Sequence, residues 1–518
     1  MQRANYGNSA MGLSCWIAHK SVWSPRYIAT VCGDRTLTYW EFERWVAHLS
    51  GYLRHELNVQ EGDRIAYLGK SSDIIPALFF ACARIGAIFV PLNSRMTAGQ
   101  LNVMLGNAEP SYLLAEQGFR EVAEQCAQGI AKGVIHFGPA KPRGDTVDLF
   151  EVIGQTVPIE CDPNRDQNIP ALIAYTSGTT GTPKGAVFTQ DAITFAAINS
   201  NNCWSMRASD HVLTFLPMFH VGGLMIQSLP AFHMGARVTI FENFDAGEVL
   251  SCIEKQRVTL MLCPPHFSRA IFRHPNWAAT DLSSLRGVVI GSTFVPPEVM
   301  QIWIDRGVAT QHNFGMTEVS HILGTPYAEH RRKAHTAGLG MLYSQARVMD
   351  ENMKRLPPGE AGEIMVRGRS IFSGYWRNPE ADRASFRDGW FLTGDIAYTD
   401  DEGYFHVVDR KKNIVIVGSS NVYPADLEKV LGECPDVAEA AIIGCPDPET
   451  GEALVACIQP RDKDWRDEAA VRSLFEGTLA PYQHPKHVLF MRELPRTSLG
   501  KVHKVALIEK VRKELGLT

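Results

Sequence analysis

Residues Ala171 to Gly185 read ALIAYTSGTTGTPKG, an apolar run that opens into a loop dense in small and hydroxylated residues. From Tyr175 onward the loop carries three glycines, four threonines, one serine and a lysine, Lys184. Working downstream, DAITFAAIN has helical spacing and VLTFLP has strand character; RVTIF, a helix at Ala246 to Lys255 and TLMLCPP repeat the alternation. Upstream, Thr38-Tyr39-Trp40-Glu41 has the spacing of a reciprocal cap. Phe42, Trp45, Val46, Leu49 and Leu53 continue it at helical intervals. IAYLG, an apolar helix around Leu78 to Ile85 and AIFVPL then follow. Strand, helix, strand in that order predicts crossover units and a parallel sheet on both sides of the loop.

After Ala337 the pattern changes. ARVMDENMKRLPPGEAGEIMVRG alternates and is broken by Pro-Pro-Gly-Glu, which predicts antiparallel hairpins. Beyond Arg410, VAEAAIIG and ALVACIQ flank the turn-rich PDPETGE in a smaller α+β segment. The polar DRKKN at Asp409 to Asn413 is the expected boundary, giving a large domain over 1–411 and a small one over 412–518. With 518 residues, 45% of them hydrophobic, the chain exceeds the ~250–300 residues that one core serves.

A net charge of −5 and a sequence pI near 6.4 argue against a nucleic-acid binder. The eleven cysteines, Cys15 to Cys457, show no CxxC pair, which suits reduced thiols and a cytoplasmic location. The opening MQRANYGNSAMGLSCW lacks the apolar core of a signal peptide. The most apolar stretch, Ile74 to Leu92, holds Pro76, Arg84, Gly86 and Pro91 and is expected to be a buried helix and strand, with no membrane span.

Three segments carry chemistry. The loop YTSGTTGTPKG, between a strand and an expected helix, offers free N–H groups and hydroxyls to oxyanions, and Lys184 adds a charge for phosphate. It does not match GxxxxGK[ST]. In NFGMTE, Asn313 to Glu318, Phe314 can stack on a base, Thr317 can donate to an anion and Glu318 can hold magnesium; alone the segment also reads as a helix cap. In WFLTGD, Asp395 closes an apolar strand and can accept from two ribose hydroxyls; alone it also reads as a turn. His220 in LPMFHVGG reads equally as a buried, hydrogen-bonded core residue.

Together, YTSGTTGTPKG, NFGMTE, GWFLTGD, DRKKN, NVYPADLE and PRTSLGKVHK resemble, in order and spacing, the adenylate-forming superfamily of acyl- and aryl-CoA synthetases, adenylation domains and luciferases. The resemblance runs from about Thr36 to Lys504 and is strongest to bacterial fatty-acyl and aryl-acyl CoA ligases. It implies an α/β fold: a large N-terminal domain of two parallel-sheet subdomains plus a small β-barrel, then a small mobile α+β domain. It also implies ATP, magnesium and CoA as partners of a small carboxylic acid.

By the same resemblance Thr176, Ser177, Gly178, Thr179, Thr180 and Lys184 hold the β- and γ-phosphates. Gly291, Ser292 and Thr293 flank the adenine, with Asn313 and Phe314 against its face. Thr317 and Glu318 contact phosphate and magnesium, and Asp395 and Arg410 contact the ribose. Lys412 is the hinge, Lys501 bridges the acid carboxylate and the α-phosphate, and His220 lines the acyl pocket. Gly222, Gly223, Phe294, Val295 and Val319 are expected to border that pocket. Two positions depart from the family: Ser419 replaces a glycine past which the pantetheine arm runs, and Gln483 replaces a lysine, with Lys486 nearby. Ser419 keeps a carrier-protein thiol, an amine acceptor or nitrite activation as alternatives to acyl-CoA formation.

Overall fold

The computed structural model describes residues 12–126, 130–138, 146–176, 183–291, 295–417, 420–447, 450–476, 478–496 and 501–516, without the side chains of Lys412 and Asn421. The predicted Ser177, Gly178, Thr179, Thr180, Ser292, Thr293, Phe294 and Ser419 lie outside the described residues. The chain divides into two compact units, Met1–Ala346 with Val366–Phe391, and Arg347–Met365 with Leu392–Thr518.

The first unit contains two large sheets. In the one holding the glycine loop's strand, Pro170–Thr176, Ile88–Pro91, Arg64–Leu68, Tyr112–Glu116 and Gly133–Phe137 run parallel in that spatial order. Ile74–Ile85 crosses between two of these strands. Its residues from Ile75 to Ile85 are all buried, so the apolar run is a core helix of twelve residues. Arg84, 1% exposed, donates two bonds to Glu43, at 2.8 and 2.7 Å, and one to the Ile159 carbonyl at 3.1 Å. A guanidinium buried so deeply stands only because its charge is matched. Among the described residues no helix is long and apolar enough to cross a membrane.

The second sheet orders Ala309–Phe314, Gly287–Gly291, Leu260–Leu262, His211–Thr214, Arg237–Ile240 and Ile28–Cys32 in parallel. The predicted cap at Thr38 is present: its hydroxyl accepts from the Glu41 N–H, and the Glu41 carboxylate accepts from the Thr38 N–H. The helix Tyr39–Gly51 buries Phe42, Trp45, Val46 and Leu49 at the predicted spacing.

The hairpins predicted after Ala337 form a five-stranded sheet from Ser344–Met349, Gly362–Gly368, Phe386–Arg387, Trp390–Thr399 and Phe405–Arg410. In the second unit, Val437–Asp447 and Gly451–Pro460 pair antiparallel, with His487–Phe490 added parallel. These strands are longer than predicted. They run into PDPETGE, because the register holds as far as Asp447 opposite Gly451. A mixed α/β unit built on parallel sheets, followed by a smaller part with antiparallel pairing, is the predicted fold class.

Candidate active site

The loop flanked by Thr176 and Lys184 does not lead into a helix. Lys184–Thr189 is a strand, antiparallel to Pro170–Thr176, with Thr176 opposite Lys184; the helix begins only at Gln190. KGAVFT shows no alternation, since Gly185 to Phe188 are all buried, and it forms a strand because it pairs with Pro170–Thr176 on one side and Gly374–Tyr375 on the other. Thr176 and Lys184 therefore face each other where the two strands end. Gly185 is required there, since a Cβ would lie 2.7 Å from Ile173 Cγ2.

NFGMTE ends the strand Ala309–Phe314 and turns back on itself; it is no helix cap. A Cβ on Gly315 would stand 1.8 Å from the Ser320 carbonyl oxygen, and Ser320 adopts φ +53°, so the turn is tightly closed around Thr317 and Glu318. Gly291 lies opposite Asn313 in register, and a Cβ there would meet the Asn313 carbonyl oxygen at 2.3 Å. Asn313 is buried, and its Oδ1 has no hydrogen-bond partner among the described residues. A buried orphan acceptor beside a side-chain-free strand end suits the amino group of a base.

Glu318 is 6% exposed, and its Oε1 accepts from the Tyr375 hydroxyl at 2.8 Å. Lys184 Nζ lies 5.2 Å from the centre of the Tyr375 ring. The structure thus brings the predicted phosphate lysine and metal carboxylate onto one tyrosine, which sequence reasoning missed. His220 is half-buried, and its Nδ1 accepts from the Gly222 N–H at 3.1 Å, which leaves the neutral ring's proton on Nε2. No side chain fits at Gly223, where a Cβ would be 2.7 Å from the Leu216 and Pro217 carbonyl oxygens.

Within the second unit, Asp395 is not at a strand end. Trp390–Thr399 continues past it, turned by Gly394 at φ +71°, and Asp395 pairs directly with Arg410 across the sheet. Arg410 Nε is 3.0 Å from Asp395 Oδ1. Lys501 responds to the same two charges. Desolvation pushes its pKa down to about 8, Arg410 adds to the depression and Asp395 opposes it. It lies just before the helix Lys504–Leu515, in the stretch closed by the Arg496–Val502 bridge. Asp395 and Arg410 therefore meet, and Lys501 lies within electrostatic reach of both.

Asp409 was unassigned in the sequence. Its Oδ1 accepts from Asn413 Nδ2 at 3.1 Å and its Oδ2 from the Ala425 N–H at 3.0 Å, spanning the short helix Lys411–Asn413 that contains Lys412. Lys486 pairs with Asp447.

Among the described residues no group of three His, Cys, Asp or Glu could hold a metal alone. Magnesium bound with a nucleotide needs only one or two carboxylates, since phosphates and water supply the rest. Glu318, buried and fixed in orientation, fits that role.

Residues 19–376 match the family of AMP-binding enzymes, and residues 426–501 match the AMP-binding enzyme C-terminal domain. The chain is 39% identical to an indoleacetate–CoA ligase of Aromatoleum aromaticum, over 95% of this chain and 97% of the relative. It is 36% identical to a feruloyl-CoA synthase of an Amycolatopsis species, over 95% and 98%. The fold superposes on ATP-bound MatB of Rhodopseudomonas palustris with a TM-score of 0.90, at 29% identity, over 97% of this chain and 99% of the other. With the order of motifs, the paired charges and these likenesses in agreement, the chain belongs to the family of AMP-binding enzymes and is an adenylate-forming ligase.

Proposed function

We propose that this enzyme joins an aromatic or aryl-alkanoic acid to CoA. It is an AMP-forming acid–thiol ligase that consumes ATP. The acid's carboxylate oxygen attacks the α-phosphorus as the bond to pyrophosphate breaks. The CoA sulfur then attacks the acyl carbon, its proton passing to solvent, and AMP leaves. The preference for an aryl acid is supported by the relatives named for indoleacetate and ferulate.

The observation that carries the mechanism is the Asp395–Arg410 pair, 3.0 Å apart, with Lys501 within reach of both charges. A carboxylate meeting a phosphate brings two anions together, and a preorganised ammonium offsets that repulsion as charge builds on the phosphoryl oxygens. Lys501 takes this role. Asp395 and Arg410 hold the ribose. Thr176 and Lys184, with Ser177, Gly178, Thr179 and Thr180, hold the β- and γ-phosphates. Asn313, Phe314 and Gly291, with Ser292 and Thr293, hold the adenine. Thr317 binds phosphate, and His220 presents Nε2–H at the acyl pocket. Magnesium on Glu318, when bound, neutralises phosphate charge.

Functionally the chain divides at Lys412, with 412–518 turning about that residue between the two half-reactions, so that one site serves both. The eleven cysteines are free, which suits a cytoplasmic enzyme.

A panel of arylacetic, cinnamic and fatty acids, scored by pyrophosphate release with and without CoA, tests the proposal. Aryl acids are expected to give the largest kcat/KM, with AMP release dependent on CoA. A preference for long alkyl acids would overturn the substrate class.

A further inference from the structure

The segment Phe372 to Trp376, FSGYW, belongs to none of the six motifs, yet it ties two of them together. Its backbone runs as a strap. Phe372 N–H donates to the Glu318 carbonyl at 2.8 Å, Ser373 N–H to Val187 at 2.8 Å and Trp376 N–H to Gly185 at 2.7 Å. Gly374 and Tyr375 extend the strand Lys184–Thr189, opposite Val187 and Ala186. One edge of the strap is therefore bonded to the strand that begins with Lys184, and its first residue to the turn that carries Glu318.

Tyr375 is fixed from three sides. Its N–H donates to Asp382 Oδ1 at 2.7 Å, its ring packs edge-on to Phe372 with centroids 4.9 Å apart, and its hydroxyl donates to Glu318 Oε1 at 2.8 Å. Gly374, at φ +142°, permits the tight approach, since a Cβ there would be 2.9 Å from the Asp382 carboxylate. Tyr375 is 8% exposed. A phenol is protonated near neutral pH and a carboxylate is not, so the hydroxyl is the donor and Glu318 the acceptor. The ring's face meets the Lys184 ammonium at a distance where a cation is held by the ring quadrupole.

We propose that Tyr375 is a positioning residue for adenylate formation: its hydroxyl holds the Glu318 carboxylate in one orientation while its ring holds the Lys184 ammonium. One side chain thereby sets both protein charges that the magnesium–triphosphate meets. The inference rests on the roles given above to Glu318 and Lys184. Preorganisation of this kind acts on the nucleotide and leaves the acid's own contacts alone.

Two variants separate the hydroxyl from the ring. Tyr375→Phe keeps the face toward Lys184 and removes the bond to Glu318; Tyr375→Leu removes both. ATP binding is read by calorimetry across a magnesium titration, and ATP–pyrophosphate exchange is followed in parallel. For Tyr375→Phe, the magnesium concentration giving half-maximal ATP binding is expected to rise about tenfold, the usual effect of losing a hydrogen bond to a charged group. The KM for the acid is expected to stay unchanged. Tyr375→Leu is expected to weaken metal-free ATP binding as well, which Tyr375→Phe does not.

A double-mutant cycle guards against a merely structural effect. In a Glu318→Gln background, Tyr375→Phe is expected to add nothing. Equal losses from Tyr375→Phe with and without the Glu318 charge would overturn the inference, as would an unchanged magnesium dependence in the single variant. If Glu318→Gln itself leaves ATP binding and exchange at wild-type levels, the role given to Glu318 fails. If Glu318→Gln is impaired and Tyr375→Phe is not, the role given to Tyr375 alone fails.

Discussion

Arg410 Nε stands 3.0 Å from Asp395 Oδ1, and the two residues lie directly opposite one another in adjacent antiparallel strands. Asp395 is almost wholly buried, and its N–H donates to Thr393 Oγ1 at 3.1 Å, so neither the carboxylate nor its backbone is at liberty to wander. Asp395→Asn removes a charge-assisted acceptor while keeping its shape. It is expected to raise the KM for ATP about ten- to a hundredfold, with a smaller effect on the KM for the acid. Initial rates at varied ATP check this.

In the role proposed for it, Lys501 must carry its proton to neutralise the meeting anions. Because its pKa in the free enzyme is pushed down to about 8, kcat/KM for ATP is expected to be full below that pH and to fall as pH rises through it. Lys501→Arg, charged throughout, is expected to abolish this limb, even where its geometry costs rate. Lys501→Ala is expected to lose on the order of 10²–10³ in adenylation. ATP–pyrophosphate exchange as a function of pH is the measurement.

Acid is expected to weaken the first unit. His211 and His233 are pushed down to about 4 by burial, with Arg237 and Lys20 respectively adding to it; burial takes His312 to about 4 and His321 to about 3. These values lie below the 6.5 of an unfolded histidine, so the unfolded chain binds more protons across the interval. Stability is therefore intact above pH ~6.5 and falls as pH drops through ~4, at up to ~1.4 kcal/mol per pH unit for each histidine. Denaturant midpoints between pH 7 and pH 4 report it.

Breaking one side of the Arg84–Glu43 pair leaves a charge in the core. Glu43→Ala is expected to destabilise the first unit by about 3–5 kcal/mol, whereas replacing both residues, as Arg84→Met with Glu43→Leu, is expected to cost much less. Urea unfolding of the single and double variants decides between these outcomes.

The parallel sheets, the cap at Thr38 and the buried helix around Leu78 were legible because each rests on local periodicity. The candidate site residues are named by motif, but their neighbourhood is not, since Asp395 and Arg410 come together only by strand pairing and Lys501 comes within reach of their charges only by the return of the C-terminal chain. The strand Lys184–Thr189 is not legible because it is short and buried on both faces, with no alternation to mark it, and only sheet pairing makes it a strand. Tyr375 gave no signal at all: a tyrosine between glycine and tryptophan reads as core until the Glu318 carboxylate is found against its hydroxyl. Asp409 was quoted within DRKKN as a polar joint, and only the three-dimensional path shows what its carboxylate reaches.

That reach has a mechanical consequence. Asp409 precedes Lys412 in the chain, and Ala425, whose N–H it binds at 3.0 Å, follows it. In the proposed swivel about Lys412, any turn that carries Ala425 away must first undo this bond, so the carboxylate would act as a detent until something supplied the roughly 1.5–3 kcal/mol that a hydrogen bond to a charged group is worth.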